Sequence, residues 1–132
     1  FTFDYPIHVI ANLTKDEYVI GKGDSTFCNR IENDLNDWGN IHGSPAIKFG
    51  LYFGKYGEDK SRKYRIGRNE YGTDENIALK KILFSIVELL ENKDNFNVLR
   101  RNPISPMYKG KILSVYYPND FLNIFSDQFF YS

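Results

Sequence analysis

Apolar residues fall at helical intervals most clearly between positions 73 and 91. Leu79, Ile82, Leu83, Ile86, Val87 and Leu90 recur three or four residues apart, which predicts a helix over about 73–91 with one continuous apolar face. Phe84 and Leu89 widen that stripe and predict burial on more than one side. Thr73 is the expected cap, Asp74 and Glu75 suit the positive end of the helix dipole, and Asn92-Lys93 gives the stop. A second amphipathic helix is predicted over about 26–37. There Phe27, Ile31, Leu35 and Trp38 share a face, and Asn29, Arg30, Asn33 and Asn36 lie on the wet side.

Shorter patterns predict strands. Residues 7–10 read as a short strand, and Ala46 to Gly54 is the strongest candidate in the chain. A polar turn over 55–61 and a second strand over 62–66 complete a hairpin. Residues 94–101 read as a short helix or an irregular arm, and the two prolines of 102–106 predict a loop. Strands are expected again over 111–117, where residues are strongly β-forming, and over 121–125. Helices and strands mix without βαβ alternation. The fold class is therefore α+β: a small mixed or antiparallel sheet packed on the long central helix and the N-terminal amphipathic helix.

The length of 132 residues fits a single domain, 1–132, with a core of useful size. A start at Phe1 and an end within Phe129-Phe130-Tyr131 lead us to expect a piece of a longer protein. Aromatic residues make up 17%, enough for a core and for flat adhesive surface besides. Net charge is zero, which argues against bulk polyanion binding, but the balance is local. Between Lys48 and Arg68 stand seven cations and only two acids, Glu58 and Asp59. The single cysteine excludes an internal disulfide, and no apolar run nears the roughly 20 residues of a membrane span. A cytoplasmic protein without a membrane partner is expected.

Candidate enzymatic motifs are thin. Gly21-Lys22-Gly23-Asp24-Ser25-Thr26 lacks the glycine spacing and Lys-Ser/Thr pair of a phosphate cradle, and a turn with a helix cap accounts for it. Cys28 and His42 could form a nucleophile and base, but Cys28 sits beside core-facing Phe27 and reads as a buried thiol. Two histidines and one cysteine are too few for a zinc site without carboxylates. Glu58-Asp59-Lys60 has the residue types of a metal-dependent nuclease but falls in a turn, and Asp120 and Asp127 have no supporting pattern. No catalytic residue, metal or cofactor is expected.

The basic hairpin offers more. Lys48, Lys55, Arg62, Lys63, Arg65 and Arg68 are the expected phosphate contacts, interleaved with aromatics. Tyr52, Tyr64, Tyr117 and Trp38 are candidates to stack on a base. On a strand, Tyr116 and Tyr117 would face opposite ways, leaving one exposed. A second basic set, Arg100, Arg101, Lys109 and Lys111, would line a groove if it faced the same way as the first.

Three stretches carry a family resemblance: Gly23-Asp24-Ser25-Thr26-Phe27-Cys28-Asn29-Arg30-Ile31-Glu32; Gly39-Asn40-Ile41-His42-Gly43-Ser44 with Lys48-Phe49-Gly50-Leu51-Tyr52; and Gly110-Lys111-Ile112-Leu113 with Tyr117-Pro118-Asn119-Asp120-Phe121-Leu122-Asn123-Ile124-Phe125. Together they resemble the segment upstream of the AAA+ motor in McrB-like proteins of modification-dependent restriction systems. That resemblance implies a non-catalytic module that binds DNA, a modified base included, within a larger restriction complex. It transfers no base-reading residue. A rival expectation is a protein-interaction or scaffold domain using the aromatic excess; a metal-dependent nuclease ranks third.

Overall fold

The computed structural model describes residues 4–20, 25–34, 46–56 and 58–121. Its organising element is α4 (Glu75–Glu91), which touches the N-terminal helix, the hairpin and the helices that follow it. Ala78, Leu79, Ile82, Leu83, Ile86, Leu89 and Leu90 are buried along it. Truncating one of the larger of these, Ile86→Ala for instance, should cost about 2–5 kcal/mol through lost contacts and the cavity left behind. The cap falls one residue later than expected. Asp74, not Thr73, accepts from the backbone N–H groups of Asn76 (2.9 Å) and Ile77 (3.0 Å). Leu89 is buried as predicted, but Phe84 is 70% exposed: one face of α4 remains open.

Among the described residues, three short α-helices and a hairpin precede α4. Residues 7–10, expected as a strand, form α1 (Ile7–Ile10), and α2 (Lys15–Tyr18) begins at a reciprocal cap between Thr14 and Glu17. The predicted amphipathic helix is present as α3 (Phe27–Asp34), with Phe27, Cys28 and Ile31 buried; the expected continuation over 35–37 lies outside the described residues. Thr26 Oγ accepts from the Asn29 N–H at 3.2 Å and caps its first turn.

The predicted strand over 46–54 divides in two. Ala46–Phe49 is a 3-10 turn, and β1 (Leu51–Tyr56) runs antiparallel to β2 (Asp59–Ile66). Gly50 joins the two parts at φ +80°; a Cβ there would lie 2.7 Å from the Tyr71 ring and 2.9 Å from Ile82, so only glycine fits. The strands therefore extend further into the expected turn than the sequence suggested. Among the described residues the sheet has two strands, so it is a ribbon.

The largest departure lies after α4. Residues 96–101 form α5 (Phe96–Arg101), capped by Asn95 Oδ1 on the Val98 N–H. The strand expected over 111–117 is instead α6 (Pro106–Tyr116), and Pro118–Phe121, expected as a turn leading into the next strand, is the one-turn helix α7; residues 122–125 of that expected strand lie outside the described residues. Pro106 opens α6 in its first turn, where the missing N–H costs nothing. Tyr108 through Ser114 are all buried, so α6 has no wet face to give a helical period. Mixed α+β architecture stands, with helix replacing most of the predicted strand. No helix among the described residues is long and apolar enough to cross a membrane.

Candidate nucleic-acid interface

The ribbon positions the predicted cations by strand alternation. Register pairs Leu51 with Ile66, Tyr52 with Arg65, Phe53 with Tyr64 and Gly54 with Lys63. Directly opposed residues share a face, so Phe53, Tyr64 and Arg62 lie on one side and Tyr52, Lys63 and Arg65 on the other. The face of Phe53 and Tyr64 is anchored to the body. Their rings meet edge-on at 5.2 Å, Lys15 Nζ sits 4.5 Å from the Tyr64 ring centre, and the Tyr64 hydroxyl donates to Asp16 Oδ1. Phe53 N–H also donates to the Ile20 carbonyl at 3.1 Å. The inner half of β2 is thus half-buried, whereas residues 59–63 are exposed.

That split sorts the six expected phosphate contacts. Lys48 is not among those available: its side chain is 5% exposed and its Nζ lies 2.6 Å from Glu32. Arg65 is folded onto the ribbon, with Nε donating to Gly54 O (2.8 Å) and Nη2 to Asp59 (2.9 Å) and Ser61 O (3.0 Å). Arg68 is held by Glu70 at 2.7 Å. Lys55, Arg62 and Lys63 remain exposed, and Lys60, which was not among the six, joins them. Arg62 lies 5.5 Å from the Phe53 ring centre, and Lys63 is 3.4 Å from Asp59. The cations do not form one coherent face. They ring a narrow tip.

Asp59 fixes that tip. Bonds from the Ser61 hydroxyl (2.6 Å) and N–H (3.1 Å), with Arg65 beside them, hold its carboxyl far below the usual range. A carboxylate so occupied clamps the tip of the ribbon. Among the described residues, no group of three His, Cys, Asp or Glu side chains stands close enough to share a metal ion.

The stacking candidates do not converge. Tyr52 is buried, Tyr64 is tied to Asp16, and Tyr117 donates its hydroxyl to Leu90 O at 2.7 Å with Lys93 Nζ over its ring at 5.2 Å. Trp38 lies outside the described residues, as do His42 and Asp127. The strand geometry behind the expected division of Tyr116 and Tyr117 is absent, because Tyr116 ends α6 and Tyr117 is its C-cap; Tyr116 donates to Tyr5 O at 2.6 Å. The second basic set does not line a groove with the first. Lys109 is buried with Nζ donating to Leu99 O (2.8 Å) and Arg100 O (3.3 Å), and Lys111 turns to Glu32 at 3.4 Å.

Two polar clusters stand out in the interior among the described residues. Glu32 lies between Lys48 and Lys111 and pairs with both buried ammonium groups. Tyr18 donates to Phe49 O at 2.8 Å and its hydroxyl meets that of Tyr108 at 3.0 Å, which in turn lies 3.7 Å from Cys28 Sγ. Burial pushes the Cys28 thiol up to about 12, so it is protonated and inert near neutrality. Glu32 was missed by sequence reasoning, although its place four residues after Cys28 puts it on the core side of α3. No family model, curated protein or solved structure matches this chain.

Proposed function

We propose that the chain is a non-catalytic DNA-recognition module of a bacterial restriction or defence protein, acting in the cytoplasm through the β1–β2 ribbon. The observation that carries this reading is the outer half of the ribbon. It is exposed, two strands wide, and bears Lys55, Lys60, Arg62 and Lys63. The major groove of DNA admits a two-stranded ribbon, and phosphates line both of its walls. Cations on both faces of such a ribbon are then an advantage, because each face meets a different backbone strand. The resemblance to the segment upstream of the AAA+ motor in McrB-like proteins supports the same reading and makes a modified base a reasonable target.

Fluorescence anisotropy with plain duplex, cytosine-methylated duplex and single strands tests it. Four phosphate contacts should make log K fall with log salt at a slope of about −3.6 for duplex DNA. Replacing Lys55, Lys60, Arg62 and Lys63 by glutamine should bring that slope close to zero. Flat titrations, or a quadruple variant that binds as the parent does, overturn the proposal.

A further inference from the structure

A second surface lies on the outer face of α4, and none of the residues lining its hollow belongs to the ribbon. Ile77 (53% exposed) and Phe84 (70%) stand two turns apart on this face, with Lys80 and Lys81 between them. Tyr71, Phe84 and Pro103 wall a hollow of about 370 Å³, and Lys80, Lys81 and Glu70 hold its rim. Asn102 Nδ2 donates to Ser85 O at 2.8 Å, which brings the end of α5 alongside this part of α4. Arg100 and Arg101 are the exposed last residues of that helix.

The charge here is one-sided. Among the described residues, none of Lys80, Lys81, Arg100 and Arg101 has an ion-pair partner. The acids nearby are engaged, Glu70 with Arg68 at 2.7 Å and Glu88 with Asn102 Nδ2 at 3.1 Å. Tyr71 is 3% exposed, yet among the described residues its hydroxyl has no hydrogen-bond partner. Burial pushes its pKa up to about 12, so it remains a donor near neutrality. A buried hydroxyl is costly to leave unbonded, and a carboxylate would satisfy it together with the lysines. The apolar walls suit a bulky apolar side chain. A small molecule would fill the hollow and leave Ile77 uncovered, whereas the strip from Ile77 to Phe84 is about 10 Å long, the reach of two helical turns. We propose that this face docks an acidic amphipathic peptide segment of a partner protein. Its bulky apolar side chain enters the hollow, and its carboxylates meet Lys80, Lys81 and the Tyr71 hydroxyl.

Fluorescence anisotropy of a labelled peptide tests this, with circular dichroism as the folding control. The probe is an amphipathic helix former with Phe and Leu two turns apart and glutamates flanking them. A second peptide keeps the glutamates but has alanine for Phe and Leu, and a third has glutamine for the glutamates. The first should bind saturably, and the other two at least about tenfold more weakly. Phe84→Ser, and Lys80→Glu together with Lys81→Glu, should each weaken the first peptide about tenfold. Tyr71→Phe, which removes one oxygen and keeps the ring, should weaken it about threefold, the scale of one hydrogen bond. Absence of saturable binding by the first peptide overturns the proposal. So does equal binding by the peptide without Phe and Leu, or binding that Phe84→Ser and Tyr71→Phe leave untouched. If phenylpropionate, phosphatidylserine vesicles or duplex DNA displaces the peptide and itself binds less well to Phe84→Ser, the face belongs to that ligand instead. Lys63→Gln in the ribbon should leave peptide affinity unchanged, which keeps failure of the DNA reading separate from failure of this one.

Discussion

Lys111 and Lys63 carry the same ammonium group on the same flexible stem, yet one side chain is 2% exposed and the other 60%. The interior set, Lys48, Lys109 and Lys111, spends its charge on Glu32 and on the carbonyls that end α5. The ribbon set, Lys55, Lys60, Arg62 and Lys63, is exposed on a two-stranded projection. Counting cations along the chain merges the two sets, whereas desolvation separates them. A buried lysine must be matched or it destabilises the fold, and an exposed one is free to meet a ligand.

The sharpest way to break this comparison is to remove the interior carboxylate. Glu32→Gln removes the carboxylate that pairs with both Lys48 and Lys111 and leaves the repulsion between the two buried ammonium groups unopposed by it. Burial already lowers the Lys111 pKa, with Glu32 opposing that shift and Lys48 adding to it. The expected loss is about 3–5 kcal/mol in urea unfolding, the range for breaking a buried pair. Lys111→Met in the same background should recover part of it. A loss below about 1 kcal/mol would place Glu32 in the same class as a surface ion pair.

How much of this could be read beforehand differs between the two large helices. α4 announced itself, because it keeps a wet face and its apolar residues therefore show a 3.6-residue period. α6 hid, since Tyr108 to Ser114 are buried all round and a short apolar run with Val115, Tyr116 and Tyr117 looks like a strand. Pro106 after Ser105 was the signal of a helix start, but two prolines together read as loop. Phe84 was misread as buried: it stands seven residues after Ile77 on the same side of the helix, and the structure leaves both exposed. Within the hairpin, strand alternation was enough to part Arg62 from Lys63 and Arg65. The pairing of Lys48 with Glu32 was not legible, because it joins two segments through tertiary packing alone.

Lys109 sharpens the comparison through pH. Burial, with the Arg68 charge nearby, lowers its pKa to about 8. An unfolded lysine titrates near 10.4, so between these values the unfolded chain holds a proton that the native chain has released. Stability from this group therefore rises as pH climbs from about 8 toward 10. Below 8 both states are protonated, and the burial cost stays in full. Urea unfolding at pH 7.5 and pH 10 should show the parent gaining on the order of 2 kcal/mol relative to Lys109→Met. Parallel profiles for the two proteins would mean that Lys109 is as well hydrated as the ribbon lysines.

The smallest effect lies within the ribbon itself, where Arg65 and Lys63 share one face of one strand. Arg65 is 13% exposed and ties Gly54, Asp59 and Ser61 together, so it closes the hairpin from the side. Among the described residues Lys63 pairs with Asp59 alone, at 3.4 Å and in water. Arg65→Ala should cost about 1–2 kcal/mol, the scale of a lost charge-assisted hydrogen bond, and should speed amide exchange in β1 and β2. Lys63→Ala should change stability by no more than about 0.5 kcal/mol. On DNA the order reverses in kind. On the proposed DNA-binding reading, losing Lys63 should remove one contact and lower the salt slope by about 0.9, whereas losing Arg65 should loosen the scaffold and leave the number of cations at the tip unchanged. Equal losses of stability from the two alanine variants would show that the outer ribbon is as firmly held as its base, and the division between structural and available charge would then fail inside the hairpin.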